Sequence, residues 1–410
     1  MRLLKLRPYR IIALSIILFA SASLFLILFI NEEFNSDLNN GIINNFEDFD
    51  NSSHSQKQLK FFNVSSRLSY YVTLEHQPGE RTGNILFQYA SFYGISRNLS
   101  FVPLLRGSEP ILNFFDHSIN AVFSSPQWQQ YFGVPERALE WDMLSKKQRA
   151  HLRFNGHDSI LSNTRLVRFK EKLSSIFDSR INDLRGINSH IMISGYFQSY
   201  KYFQLYKSEI CQQFRFSSTL RKRAHTFLES ARYTWDVDRN STLFVGVHGR
   251  LGDMIMHAPF AAFGYRTAPD QYLVRAARLF RERLNSVRPR RRVRFVLCSD
   301  TLAMFARSFP HEELCDEATG GPCESDTVIA DDPSLHLALL AESDHVLLTV
   351  GTFGWWGAFL AGCTRSPLVT YYAHPFAAGS QLAAQFNHSL SDFYPPEWIS
   401  IDALHSSSNV

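Results

Sequence analysis

From Leu243 to Tyr372 the chain alternates between two kinds of segment, and this alternation constrains its fold more than any other feature. The runs "LFVGVHG", "RVRFVLC", "DTVIA", "HVLLTVG" and "PLVTYY" are short, apolar and strand-like. Between them, helical patterning falls near Asp270–Leu284, Thr301–Ser308, Ser334–Glu342 and Gly354–Ala361. Five strands with four intervening helices predict a parallel sheet covered on both faces, with ligands at the C-terminal ends of the strands. Nearer the N-terminus, "YYVTL" (Tyr70–Leu74), a helix over Ile85–Arg97 and "LSFVPLL" form a further βαβ unit. "HIMISGYF" (His190–Phe197) reads as another strand, followed by helices through Phe214 and Ser230. The aromatic-rich, charged pieces from about 110 to 190 have no order that patterning assigns. Patterning therefore predicts an α/β fold, and the length of 410 residues allows two domains.

Ahead of the lobes lies Ile11–Ile30, twenty residues without a charge, about what a helix needs to cross a ~30 Å hydrocarbon core. Arg2, Lys5, Arg7 and Arg10 precede it and Glu32, Glu33 and Asp37 follow, which predicts a cytoplasmic tail at 1–10 and places the rest lumenal or outside. A cleaved signal peptide is the alternative, but the stretch exceeds the usual apolar region and no small-residue cleavage site closes it. Residues 31–67, rich in Asn, Asp and Ser, read as a flexible stem, and 403–410 as a tail. Glycosylation acceptors at Asn51, Asn63, Asn98, Asn240 and Asn387 agree with that topology. Of the five cysteines, Cys315 and Cys323 are close enough to bridge a short loop, and one cysteine must be left over. A net charge of +4 is too mild to argue for nucleic acid and suits a localised anionic ligand.

The candidate site residues fall at strand ends. "VGVHGRLGDM" (Val245–Met254) puts His248, Arg250, Gly252 and Asp253 at the end of the first strand of the second lobe. A planar guanidinium there is suited to forking onto a diphosphate; taken alone, such a turn equally describes a surface ion pair beside a core-edge histidine. Ser299 and Asp300 close the next strand and are either ligand contacts or a helix N-cap. Gly351, Thr352 and Gly354 lie near the start of a helix whose backbone N–H groups and dipole favour a phosphate, with Trp355 and Trp356 as core or wall. Asp331 and Asp332 precede "PSLHLALL" and either cap it or meet a base or sugar hydroxyl. "TGN" (Thr82–Asn84) ends the first strand unit of the other lobe, making Asn84 either a ligand contact or a turn residue. The densest charge run, "RPRRRVRF" (Arg288–Phe295), lies between a helix and a strand away from these ends and reads as a solvated loop.

Six segments in order, "ERTGNILFQYASFYGISR", "GYFQSYKYF", "HGRLGD", "CSD", "LLAESDHVLLTVGTFGWWGAFLAG" and "FYPPEWI", resemble the motifs of the galactoside alpha-1,2-fucosyltransferases, glycosyltransferase family 11. The resemblance runs from about Tyr70 to Ile401. It implies an α/β fold of two Rossmann-like lobes (GT-B type), an acceptor-side lobe at 68–235 and a GDP-fucose-binding lobe at 236–402, behind a transmembrane helix that anchors the chain in the Golgi membrane as a single-pass type II protein with its catalytic region lumenal. It further implies inverting, metal-independent transfer of L-fucose from GDP-fucose to the 2-hydroxyl of a terminal galactose on a glycoprotein or glycolipid, with no cofactor. Carried over residue by residue, Arg250 matches the arginine expected on the donor diphosphate, with His248 and Asp253 in the same catalytic motif. Gly252, Ser299, Asp300, Gly351, Thr352, Phe353 and Asn84 are the expected donor contacts. The chain departs from the family's HxRRGD at Leu251, where a second arginine is common. That departure keeps open a non-catalytic glycan- or nucleotide-binding protein of the same fold, or a fucosyltransferase with a different acceptor.

Overall fold

Two sheets, each of six parallel strands among the described residues, carry the molecule. The structure is a computed structural model that describes residues 70–75, 81–105, 122–123, 139–154, 166–233, 242–252, 254, 257–285, 292–309, 326–327 and 332–403. All of these fall within one compact unit, Gln58–Val410. The run Ile11–Ile30, the stem, Asn51, Asn63, Asn240, Asp253, Arg288, Asp331, Cys315 and Cys323 lie outside the described residues. No helix among the described residues is long and apolar enough to cross a membrane.

The first lobe holds β1 (Tyr71–Glu75), α1 (Thr82–Leu99), β2 (Val102–Leu105), β3 (Val122–Phe123), β4 (Leu139–Glu140), α2 (Lys146–Phe154), β5 (Leu166–Lys170), β6 (His190–Ser194), α3 (Lys207–Gln213) and α4 (Ser218–Tyr233). Its strand order is β3-β2-β1-β6-β5-β4, with β1 and β6 paired in parallel at the centre of the sheet. The second lobe holds β7 (Thr242–Gly249), α5 (Ala258–Phe263), α6 (Asp270–Asn285), β8 (Arg292–Ser299), α7 (Leu302–Ser308), β9 (Asp326–Thr327), α8 (Pro333–Glu342), β10 (His345–Leu348), α9 (Thr352–Ala361), β11 (Val369–Tyr372) and β12 (Ile399–Ile401). Its order, β12-β11-β10-β7-β8-β9, is that of a dinucleotide-binding sheet, with the crevice between β7 and β10. Every residue of β7 is buried, as expected of a central parallel strand covered on both faces.

Past its first residue, Thr352, the sequence of α9 is wholly apolar, and this explains its place. A helix with no polar face must be enclosed, and α9 lies between β10, α8 and α1 of the other lobe. Phe87 of α1 packs 4.4 Å from Trp355 and 5.1 Å from Trp356, and Phe203 stacks on Trp356 at 5.7 Å. One apolar cluster thus runs through both lobes, and a second covers the other face of the second sheet. A disulfide between Cys211 of α3 and Cys363, just past α9, ties the lobes covalently. Among the described residues Cys298 is a free, buried thiol. The pairing joins residues 152 apart, a separation that spacing does not reveal.

Several expectations are revised in detail. Residues 292–295 of the arginine run belong to β8, and Arg294 is buried there with its guanidinium donating to the Ala231 carbonyl. Asp332 is the N-cap of α8. The segment "FYPPEWI" supplies Trp398 to the core and then enters β12, a sixth strand that alternation alone does not show.

Candidate active site at the start of helix α9

The residues His248–Arg250 leave the end of β7 beside Thr349–Gly351 at the end of β10. The Thr349 hydroxyl oxygen accepts the Arg250 backbone N–H at 3.1 Å, so the two loops are joined across the crevice. On the β8 side, Asp300 accepts the backbone N–H groups of Leu251 at 3.0 Å and Gly252 at 3.3 Å. Ser299 accepts the Thr301 N–H at 3.1 Å and is itself buried. Neither Ser299 nor Asp300 caps α7, whose N-cap is Thr301; Asp300 instead props the turn that carries Arg250. Leu251, at the position of the family's common second arginine, packs against the outer apolar cluster.

Gly351 is the N-cap of α9 at φ +94°, a conformation that favours glycine, and a Cβ there would lie 3.1 Å from the Arg250 Cδ. The arginine stem therefore runs along the start of the helix. No side chain caps α9, and its first turn holds no acidic residue. The same is true of α1. The two helix starts meet: a Cβ on Gly83 would fall 2.5 Å from the Thr352 hydroxyl and 2.6 Å from the Phe353 nitrogen. Each N-terminus carries roughly half a positive charge, so together with Arg250 the region has the backbone and guanidinium donors that binding an anion would require.

His248 is 5% exposed, stacks on Phe353 at 5.5 Å, and its Nδ1 has no hydrogen-bond partner among the described residues. Burial, reinforced by the Arg250 charge, lowers its pKa to about 3. The imidazole is therefore neutral near pH 7. It supports the first turn of α9, where a Cβ on Gly354 would sit 2.5 Å from the ring.

Asn84 bridges the lobes: its Oδ1 accepts the Thr352 hydroxyl at 3.0 Å and the Gln198 amide at 2.9 Å. The structure thus gathers His248, Arg250, Gly252, Asp300, Gly351, Thr352, Phe353 and Asn84 around the two helix starts, with Ser299 beneath. Asp253 lies outside the described residues. Thr349 and Gln198 were missed by sequence reading; Gln198 sits in "GYFQSYKYF", whose resemblance to a family segment was the available signal. A separate cavity of about 440 Å³, bordered by Phe203, Lys207, Phe359 and Trp398, opens toward the far end of α9. Of the sequons, the Asn98 amide donates to Asn182 at 3.0 Å and that of Asn387 to Ser391 at 3.1 Å. Among the described residues no group of three or more His, Cys, Asp or Glu is placed to hold a metal ion.

The model of the family described as "Glycosyl transferase family 11" matches residues 146–402, more than half of the chain. The chain belongs to that family. It is 31% identical over 216 residues to "Galactoside 2-alpha-L-fucosyltransferase SEC1" of Bos taurus, covering 52% of each chain. It is also 30% identical over 233 residues to "Galactoside alpha-(1,2)-fucosyltransferase 2" of Sus scrofa, covering 56% of this chain and 61% of that one. The chain spans little more than half the length of these relatives. A solved structure, a mutant Arabidopsis thaliana FUT1 in complex with GDP, is similar at a TM-score of 0.43 and 11% identity, covering 76% of this chain and 73% of that one.

Proposed function

We propose that the protein transfers L-fucose from GDP-fucose to the 2-hydroxyl of a terminal galactose on a glycoprotein or glycolipid. The observation that carries the reading is the pairing of Arg250 with the open N-terminus of α9 at the β7–β10 crevice. Family membership and the names of the relatives support the fucose and galactoside parts of the reading. On this account the two lobes form a GT-B type enzyme. The galactose hydroxyl attacks the anomeric carbon of the fucose, the bond from that carbon to the diphosphate oxygen breaks, and the configuration inverts. Negative charge gathers on the departing GDP, and Arg250 with the N–H groups of Thr352 and Phe353 stabilises it, a role that requires no metal in this reading. The hydroxyl proton passes to a base, which by its place in the motif is Asp253.

The apolar run Ile11–Ile30, its charged flanks and the five sequons support a Golgi type II membrane protein with both lobes lumenal. The test is to incubate the purified full chain with GDP-fucose and a panel of galactosides, with a chelator present, and to determine the linkage formed. An alpha-1,2-fucoside is expected. GDP binding without transfer to any galactoside would refute the enzymatic reading.

A further inference from the structure

The loop after β6 is held in a conformation that a free chain would leave. Phe197 has φ +49°, in the left-handed region that aromatic residues rarely occupy. Two residues earlier Gly195 has φ +149°, and a Cβ there would come within 2.6 Å of Glu171. Four contacts hold this shape. The Glu171 carboxyl accepts the Phe197 N–H at 2.7 Å, and Gln88 donates to the Gly195 carbonyl at 3.0 Å. Ser91 donates to the Phe197 carbonyl at 2.8 Å, and the Gln198 N–H donates to the Ser174 carbonyl at 2.6 Å. Backbone strain that is this fully clamped points to something the strained segment must deliver.

What the loop delivers is the side chain of Gln198. Its Oε1 accepts the Ser175 hydroxyl at 3.4 Å, which leaves its amide nitrogen to donate to Asn84 Oδ1 at 2.9 Å. Thr352 donates to the same oxygen at 3.0 Å. A carbonyl oxygen has two lone pairs, and both are taken. The Asn84 Nδ2 has no hydrogen-bond partner among the described residues, so its N–H groups are what this amide has left to offer a ligand where α1 and α9 begin.

We infer that Gln198 is a positioning residue of the donor site: together with Thr352 it locks the Asn84 amide so that N–H donors, and not a carbonyl oxygen, face the diphosphate. The inference rests on the donor-site reading above. Gln198 itself touches no reacting atom; it sets which end of Asn84 does. Without its donor the Asn84 amide is free to turn over and set an oxygen against the anion.

The test compares the full chain with Gln198→Glu and Gln198→Met by GDP titration calorimetry and by initial rates. A glutamate has the shape of glutamine but has no N–H to donate to Asn84 Oδ1, so Asn84 must turn its N–H groups inward. The expected result is about a tenfold loss of GDP affinity and a matching rise in KM for GDP-fucose, with the acceptor KM and the melting temperature little changed. The loss is expected to persist in 0.5 M salt, where long-range repulsion between exposed charges is screened. Gln198→Met, which leaves Thr352 holding Asn84 alone, is expected to lose two- to fivefold. In Asn84→Asp, which keeps the acceptor and removes the donors, GDP affinity is expected to fall at least as far as in Asn84→Ala. Equal GDP affinity in the unmodified chain and Gln198→Glu overturns this inference alone. Absence of GDP binding by the unmodified chain overturns the donor-site reading, and this inference with it.

Discussion

Helices α8 and α9 pack against each other in the second lobe, yet their N-termini are built in opposite ways. At α8, Pro333 opens the helix and Asp332 accepts the N–H groups of Ser334 at 3.0 Å and Leu335 at 3.2 Å, with Arg223 paired to its other oxygen at 2.8 Å. Proline in the first turn gives up no needed donor, and an aspartate cap contributes about 1 kcal/mol. At α9 the cap is Gly351, at φ +94°, with no capping side chain and no acid in the first turn. The chain closes a helix start where only the fold depends on it. At α9 it leaves the start open, lays Arg250 along it and brings the equally uncapped α1 against it. On the proposed function, the difference is that the α9 terminus keeps its backbone donors for an anion from outside the chain.

The contrast can be broken most severely by removing the guanidinium. Arg250→Ala is expected to lower fucose transfer by 10²-fold or more, about 2.7 kcal/mol of transition-state stabilisation, with little change in melting temperature. Steady-state kinetics with GDP-fucose reads this; retained full activity would remove Arg250 from the site.

Lowering the pH tests whether the ground beneath α9 must stay neutral. His248, at about 3, and His190, at about 4, both lie below their ordinary 6.5 because of burial. The unfolded chain therefore binds protons that the folded chain refuses. Stability is expected to fall as pH drops from 6.5 toward 4, by about 1.4 kcal/mol per pH unit for each histidine. Denaturant titrations across that range measure the slope, and His248→Asn should remove one proton's share of it. Glu171 acts with the opposite sign. Burial raises its pKa well above 4.5, so the stability it contributes fades as pH rises above that value. Denaturation of Glu171→Gln should lack that component, since an amide still accepts the Phe197 N–H and does not titrate.

A smaller perturbation makes α9 resemble α8. Thr352→Asp places the chain's own anion in the first turn, which favours the helix by about 0.3–1 kcal/mol. GDP affinity is nonetheless expected to fall at least tenfold. If the variant binds GDP as well as the unmodified chain, the open terminus is not the anion site. The smallest effect is expected from the converse change. Asp332→Ala removes the α8 cap, should cost about 1 kcal/mol in denaturant unfolding, and should leave GDP binding as it was.

The parallel sheet of the second lobe was legible because each core strand is an apolar run and each crossover has a clear helical pattern. The strands that escaped are β3 and β4, of two residues each, or lie in unpromising surroundings, as β12 does after Pro395 and Pro396. Strand β9, equally short, was read in "DTVIA" through the apolar residues that follow Asp326 and Thr327. Strand β5, "LVRFK", stood in the stretch to which no order was assigned. At the site, His248 and Arg250 were readable from a glycine-rich turn at a strand end. The parts that organise them were not, because each depends on contacts far apart in sequence. Asp300 finds its role 49 residues from Leu251, and Gln198 finds its own 114 residues from Asn84. No local pattern encodes such pairings, just as none links Cys211 to Cys363.

The most direct test of the central claim is calorimetric titration of GDP into the full chain, with a chelator present, beside Arg250→Ala and Thr352→Asp. The account predicts saturable one-to-one binding by the unmodified chain and at least tenfold weaker binding by each variant. Absence of binding, or equal affinity in all three, would contradict it.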